Sequence, residues 1–533
     1  MANDGETRSE VPKAIEPGLA EARRQYISQE GDGNIGATAD HGSTISISIF
    51  KGLSGLELVS GRRAWVSGLT DSALLRSDYA IVPFHPARRP AVEDLLAWCT
   101  SDAPRAVRLV HERGGVGKTR LLIEVVEQLN AAGWAAGFLK LPALGESPPE
   151  AAYTSLFPAD RPVCIVLDYA ESRRLELVPL LRALRNCTGP RSRIVLLAGA
   201  AGEWWDGLAI SDAEAQEVME SWAEARSLPP LDDTAALRSA IFHDAVAEFA
   251  QRLGLSVGSM AGATAPEFST FLFLHLAALA TVRGQPIGDA DRLLRWVLDR
   301  ERRAWARGLR DAGLPEHHAA IVGQTVTLAT LAHSVPEETA LRQLVDRAPL
   351  VAGAGAGADA TTRERISAIV ARLYPDATQL GALRPDLLGE ELVATEIERP
   401  GMVEAALGSA VPPASLRTGL TVLTRHARRR DTTKLLDAVL SGRLNHLAPP
   451  AIAVSIETGD PLGKVLAEFI EKGPIKRPDL LERLLPEKTL ALREAGAAIM
   501  QKMLARLPSI DNATEAALIE RARVAQNLSL IHI

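Results

Sequence analysis

The sequence predicts an α/β core, a parallel sheet flanked by helices, followed by a long all-helical region. Three observations carry this. An apolar-rich strand, Ala106 to Val110, runs through glycines into a helix within RLVHERGGVGKTRLL, Arg108 to Leu122. Val163-Cys164-Ile165-Val166-Leu167 is a continuous apolar run ending at Asp168, as a strand buried on both faces of a parallel sheet requires. From Asp232 to Gly313, and again from about Glu404, apolar residues recur at helical spacing.

The glycine turn has the pattern of a phosphate-binding loop. Gly114, Gly115, Val116 and Gly117 precede Lys118, Thr119 and Arg120. Glycines let successive backbone N–H groups point at one anion. Lys118 would reach the β- and γ-phosphates, and the Thr119 hydroxyl would ligate Mg²⁺. The helix beginning near Lys118 adds its N-terminal dipole. The position five residues before Gly117, ordinarily glycine, is Glu112. A carboxylate there is expected to point away from phosphate. A Gly-rich turn that binds nothing is the alternative.

Before the loop, the first 35 or so residues are polar, with weak order expected apart from a short helix near Leu19 to Ser28. Thr44 to Phe50 alternates Ile45, Ile47 and Ile49 with Ser46 and Ser48, a half-buried strand that needs a partner. Ala80 to Phe84 is expected as a short strand. A helix follows with Val92, Leu95, Leu96 and Trp98 on its apolar side. Arg88, just ahead of that helix, either touches nucleotide or is a solvated cap.

After the loop, a helix over Thr119 to Ala131 ends at Gly133, and Ala135 to Leu141 is the next strand. A Pro-rich connection, Pro142 to Pro162, leads to the strand ending in Asp168. A carboxylate at the C-terminal end of such a strand sits where ligands bind. About 50 residues after the loop, Asp168 is the expected Mg²⁺ carboxylate, acting alongside Thr119. Tyr169 follows, then Glu171, which is either a water-positioning base or a helix-start residue favoured by the dipole. A helix over Leu175 to Leu184 and a strand over Arg193 to Ala198 come next. Gly199 and Ala200 stand where a polar γ-phosphate sensor is often found. Trp204 and Trp205 pack either as core or against a base or a neighbouring domain. Leu228 to Leu231, LPPL, closes the α/β unit.

The helical remainder carries His275 in an apolar helix, where a satisfied core histidine is expected, and a charged amphipathic helix over Arg295 to Leu309. Val351 to Ala358 is an Ala/Gly tract. Leu373 to Glu391 reads as a β-wing with tight turns before a helix starting near Asp386. Arg425, His426, Arg428, Arg429 and Arg430 read as one solvated helix face. Helices from about Glu404 onward read as a repeat array, and the uncapped end at Asn527 to Ile533 reads as truncated.

Length and composition bound the rest. A chain of 533 residues implies several domains. The net charge of -7 argues against a general nucleic-acid or anionic-membrane binder. Cys99, Cys164 and Cys187 form no CxxC pair, so a disulfide framework or zinc site is not expected and a reducing cytoplasm fits. Phe271 to Val282 is too short to span a bilayer.

Several stretches occur in order: VPFH with Arg88, GGVGKTRL, GWAAGFL, VLDYAE, LLAGAAGEWW, LPPLD, FLHLAAL and LRPDLLGEELV. Together the chain, over about residues 75 to 530, resembles the bacterial STAND NTPases, signal-transduction ATPases related to the plant and animal NLR immune receptors. The resemblance implies a P-loop NTPase domain over residues 76–231, a helical lid over 232–313, a winged-helix-like domain over 314–400 and a helical, tetratricopeptide-type region over 401–533. A segment with a short β element, 1–75, precedes them. The family's first loop glycine is Glu112 here, and its sensor arginine is Gly199. The expected function is an ATP/ADP-binding, Mg²⁺-dependent switch in stress signalling, antiphage defence or regulation. A protein or small-molecule trigger would act at the C-terminal helices, and the active form would be a homo-oligomer. A slow constitutive ATPase, a degenerate scaffold and a transcription regulator are the alternatives.

Overall fold

The sheet is built from strands whose burial follows their composition. In the computed structural model the described residues are 36–40, 44–51, 56–66, 68–140, 148–229, 231, 234–258, 263–353, 358–376, 379–486, 489–508 and 514–532. The strands among them are β1 (Gly36–Asp40), β2 (Thr44–Lys51), β3 (Glu57–Arg63), β4 (Arg105–His111), β5 (Ala135–Lys140), β6 (Val163–Leu167), β7 (Ser192–Ala198) and β8 (Ala223–Ser227). They form one sheet in the order β1-β2-β3-β5-β6-β7-β4-β8. β5, β6, β7, β4 and β8 run parallel to one another. β6 and β7 are buried along their whole length, which their apolar runs allow.

The expected strand over Thr44 to Phe50 is present as β2, and its partners are in the same chain. It pairs antiparallel with β1 on one side and β3 on the other. β3 in turn pairs antiparallel with β5. The N-terminal β element thus extends the main sheet. The expected helix near Leu19 to Ser28 lies outside the described residues.

Two local expectations are corrected. Residues 80–84 form no strand: Ala80 adopts a left-handed backbone with φ 46°, and the stretch turns. Pro83 lacks the N–H a ladder needs, and Tyr79 and Ile81 are buried in the helical core. The expected β-wing is also not formed among the described residues of 373–385. A single bridge joins Val335 and Gln379 there, although the next helix starts at Asp386 as expected.

β8 was not anticipated. Its sequence, AEARS, is polar, because it is an edge strand paired on one side only, to β4. β7 contains a fully buried arginine, Arg193. Its guanidinium donates to the carbonyls of Ser101 (3.0 Å) and Ala103 (2.7 Å), just past the helix Arg89–Thr100. Those carbonyls have no helical partner of their own, and the arginine satisfies them.

Helices cover both faces of the sheet. Lys118–Ala131 buries Leu121, Leu122, Val125, Val126 and Leu129. Gly133, at φ 86°, follows its end. Beyond β8 the described chain is helical, from Ala235–Leu253 to Glu515–His532. One continuous apolar core joins these helices and takes in Ala73, Leu74 and Leu75 from before the sheet. A buried network fixes that join. Trp305 donates to the Tyr374 hydroxyl (2.6 Å), Tyr374 donates to Glu301 (2.6 Å), and the Ser72 amide donates to Glu301 (2.9 Å). None of the described helices is long and apolar enough to cross a membrane.

Candidate functional site

The glycine turn leads from β4 into the helix at Lys118 with the backbone a phosphate loop requires. Gly115 and Gly117 have φ of 83° and 95°, the left-handed region that favours glycine. A Cβ on Gly115 would come within 3.2 Å of Leu272. The loop therefore lies against the start of the helix Phe271–Val282, and the Leu272 amide donates to the Gly115 carbonyl (3.2 Å).

Lys118 rests on its own loop. Its ammonium donates to the carbonyls of Glu112 and Arg113, the latter at 3.2 Å. Burial pushes its pKa down, against the pull of Asp168 and Glu171. Glu112 points away from the loop interior, as expected: one oxygen accepts from Ser227 (3.1 Å) and the other from the Arg113 amide (2.9 Å).

The Thr119 hydroxyl donates to Asp168 Oδ2 at 3.0 Å. The two groups come from the start of the helix after β4 and the end of β6, with β7 lying between those strands. The other Asp168 oxygen accepts from the Tyr169 amide (2.9 Å). Burial raises the Asp168 pKa, and the Thr119 bond and Lys118 oppose it.

These residues fit a magnesium–nucleotide. The Thr119 hydroxyl at the start of the helix Lys118–Ala131 and the Asp168 carboxylate at the end of β6 are the hard oxygen ligands magnesium prefers. Gly114, Gly115 and Gly117 put no Cβ beside the loop amides, and the hydrogen bonds of the Lys118 ammonium among the described residues go to carbonyls of its own loop. A buried carboxylate oxygen, Glu171 Oε2, has no hydrogen-bond partner among the described residues. Lys118 and the loop amides would hold the phosphates of a nucleotide, and Thr119 and Asp168 would hold the metal.

The structure places Arg88 behind the loop. Its guanidinium donates to the carbonyls of Pro229 and Val116 (3.3 Å for the latter) and stacks over Phe271. Arg120 turns to the Phe84 ring and to Glu124. Trp204 is fully buried in the core on one face of the sheet and donates to the Ala200 carbonyl (3.0 Å), with Trp205 edge-on against it. His275 is a core histidine, its pKa pushed down by burial to about 4.

Glu171 meets a residue that the sequence reading assigned to solvent. Arg425, on the helix Pro413–Arg430, donates to Glu171 Oε1 at 2.8 Å. The same oxygen accepts from the Gly199 amide (3.3 Å), so the residue in the sensor position contributes its backbone. The expectation of a solvated face from Arg425 to Arg430 is thereby corrected. Arg429 (3.0 Å) and Arg430 (2.6 Å) both donate to Glu391, and His426 is buried. The reason is charge pairing: this face packs on the helix Asp386–Glu396, which presents Glu390 and Glu391.

Tyr169 joins the same cluster. It holds a left-handed backbone, φ 56°, uncommon for a bulky residue. Its hydroxyl accepts from Arg384 (3.0 Å), and the guanidiniums of Arg384 and Arg425 lie over its ring, 5.3 Å and 5.6 Å from the centroid. Asp386 pairs with Arg384 and lies 3.6 Å from Arg425. Two further contacts tie the sheet domain to the later helices. Arg173 meets His333 Nε2 at 3.0 Å, and the Glu203 carboxylate accepts from the Thr489 hydroxyl (2.7 Å) and the Ala491 amide (2.8 Å). The sequence reading missed Arg384, Asp386 and Arg425. The available signal was charge complementarity between the arginine run and the Glu390-Glu391 pair.

No family model matches the chain, and no curated protein matches it. Among solved structures it is similar to the Aeropyrum pernix ORC2 protein (ADPNP–ADP complexes), at 15% identity and TM-score 0.29, covering 62% of this chain and 98% of that one. It is also similar to a Walker-type ATPase of Pyrococcus abyssi, at 13% identity and TM-score 0.27, covering 58% and 95%. Cdc6p of Pyrobaculum aerophilum gives 14% identity and TM-score 0.26, covering 62% and 98%. At these TM-scores the likeness fixes neither domain arrangement nor activity. What stands in this chain is a mixed α/β sheet, mostly parallel, with a phosphate-loop turn and a Thr119–Asp168 pair, clasped by later helices.

Proposed function

We propose that the chain is a magnesium-dependent ATP/ADP switch of the STAND type, acting in a reducing cytoplasm. One observation carries the reading: Arg425, from the C-terminal helices, is bonded to Glu171 beside Lys118 and Asp168. The loop amides and Lys118 hold the phosphates, and Thr119 and Asp168 hold Mg²⁺. Arg425 and the Gly199 amide hold Glu171 Oε1 and fix the carboxylate in the clasp, so hydrolysis is slow at most while the clasp is closed. ADP favours this clasped, monomeric form, and ATP favours an open one that assembles with copies of itself. The domain limits are those implied by the family resemblance, with β1 to β3 attached to the NTPase sheet. A trigger at the C-terminal helices and an output in signalling, defence or regulation complete the proposal.

The switch works only if the two nucleotides bind the two forms with different affinity. The test is the mass in solution of full-length protein loaded with Mg-ADP or with magnesium and a non-hydrolysable ATP analogue. A monomer with ADP and a larger species with the analogue are expected. Equal mass and equal affinity with both would overturn the proposal.

A further inference from the structure

The charged amphipathic helix expected over Arg295 to Leu309 runs over Ala290–Asp311. Leu293, Leu294, Val297, Leu298 and Leu309 anchor one side of it in the core. The other side exposes Arg292, Arg295, Arg303, Arg307 and Arg310. At 3.6 residues per turn these fall in one row, about 27 Å long at 1.5 Å per residue. The helix Ala360–Leu373 widens the row. A Cβ on Gly308 would lie 3.7 Å from the Arg372 guanidinium, so Arg372 sits over the backbone beside Arg307. Arg365 donates to the Ala312 carbonyl (3.5 Å), just past the end of the first helix.

Counter-charge is uneven along the row. Arg310 pairs with Glu316 (2.5 Å), Arg302 pairs with Asp299 (2.8 Å), and Asp289 stands beside Arg292 and Arg295. Arg303, Arg307 and Arg372 are exposed and have no ion pair or hydrogen bond with their side chains among the described residues. The exposed acids of the two helices, Asp299, Asp311 and Glu364, are outnumbered by the arginines. The net charge of -7 belongs to the whole chain, whereas a surface row acts within a screening length of about 8 Å at physiological salt.

We propose that this row docks on the phosphate backbone of a double-stranded nucleic acid. A guanidinium matches a phosphate in charge and geometry. Arg303, Arg307 and Arg372 have no ion pair to break first, and each phosphate they meet releases a counterion. A row of about 27 Å spans about 8 base pairs at 3.4 Å per pair. No aromatic ring on the two helices is exposed: Trp305 is buried, and Trp296 is half-buried with the Arg300 guanidinium 5.5 Å from its centroid. Nothing there would stack on unpaired bases, so the row suits a duplex and contacts its backbone without reading sequence. None of the exposed large apolar side chains lies on either helix, whereas a helix lying in a membrane surface inserts such groups. The inference does not depend on what the phosphate loop holds.

The experiment is fluorescence anisotropy of labelled DNA and RNA duplexes of about 20 base pairs, titrated with the full chain over a series of salt concentrations. Saturable binding of at least one duplex is expected, at about 1 to 100 μM near physiological salt and equal for unrelated sequences. Replacing Arg303, Arg307 and Arg372 together by alanine should weaken it about tenfold or more. The slope of log affinity against log salt should become shallower by about 2 to 3. These side chains are exposed, so the melting temperature should stay that of the parent; where the triple variant does not fold, the pair Arg303→Ala and Arg307→Ala decides. Arg477→Ala, an exposed arginine paired with Asp479, should bind as the parent does. Excess Mg-ADP should not displace the duplex. Polyglutamate and phosphatidylserine vesicles serve as competing polyanions. Absence of duplex binding, tighter binding of either competitor, an unchanged salt slope in the arginine variant, or displacement by Mg-ADP would each overturn the proposal.

Discussion

Arg425 donates to Glu171 at 2.8 Å across 254 residues of chain. Glu171 sits just past the strand that carries Asp168, and Arg425 sits on a helix far into the C-terminal region. The pair ties the segment that follows β6 to the helix Pro413–Arg430.

Removing the Arg425 cation should leave Glu171 as a buried carboxylate without its direct ion-pair partner. Breaking one partner of a buried pair costs about 3–5 kcal/mol. Arg425→Ala should therefore lower stability by that order, and adding Glu171→Gln should restore part of it. A double-mutant cycle in urea should give a coupling of about 0.5–3 kcal/mol. Additive effects would mean that the two residues do not act together.

Lys118→Ala should weaken Mg-ADP binding by about tenfold to a hundredfold, the loss of a charge-assisted phosphate contact. Asp168→Ala should remove the dependence on Mg²⁺ while leaving some nucleotide affinity. Titrations with and without magnesium check both.

The loop glycines should differ in tolerance. Gly117 has φ 95°, and a Cβ there would sit 3.5 Å from the Phe271 ring. Gly117→Ala should cost about 1–3 kcal/mol from the backbone alone. Around Gly114 a Cβ would meet nothing within 4 Å, and Gly114→Ala should change the melting temperature little.

Acid should open the structure. Burial pushes His275, His333 and His426 down to about 4, helped at His333 by Arg173 and at His426 by Arg429. A base with a lowered folded pKa contributes stability that is full above its ordinary value near 6.5 and is lost as pH falls toward 4. For the fully buried His275 the slope is up to about 1.4 kcal/mol per pH unit. Glu390 runs the other way. Burial raises it to about 7, so its contribution is present at low pH and lost as pH rises through that value. Burial raises Asp168 and Glu301 as well, which acts with Glu390, whereas the arginine-paired Asp386 and Glu391 are held low and lose their contribution on acidification. The three histidines and these paired carboxylates together should make the urea midpoint fall from pH 6.5 to pH 4. A midpoint that rises over this range would contradict the assignment.

What the sequence showed depended on whether one segment alone carried the signal. β6 was legible because burial on both faces forces an unbroken apolar run, and Asp168 was legible because it ends that run. β8 was hidden because an edge strand tolerates AEARS. The strand over Thr44 to Phe50 was legible, but its partners were not, since pairing with β3 and β3 with β5 is a long-range choice. Arg425 was misread because periodicity shows which residues share a helix face and not what covers it. Only the Glu390-Glu391 pair, charge-matched to the arginine run, pointed to a covered face. Tyr169 occupies the slot after Asp168 that many hydrolysing NTPases give to glutamate, and its contacts with Arg384 and Arg425 could not be read from its neighbours in sequence.

The most direct measurement is to purify the chain without added nucleotide, denature it and identify what is released, with Lys118→Ala as control. Stoichiometric ADP from the parent and none from the variant is the expected result for a switch held in its resting form. Empty protein that also fails to bind ATP would contradict the account and favour a scaffold in which Glu112 and Gly199 mark a decayed site.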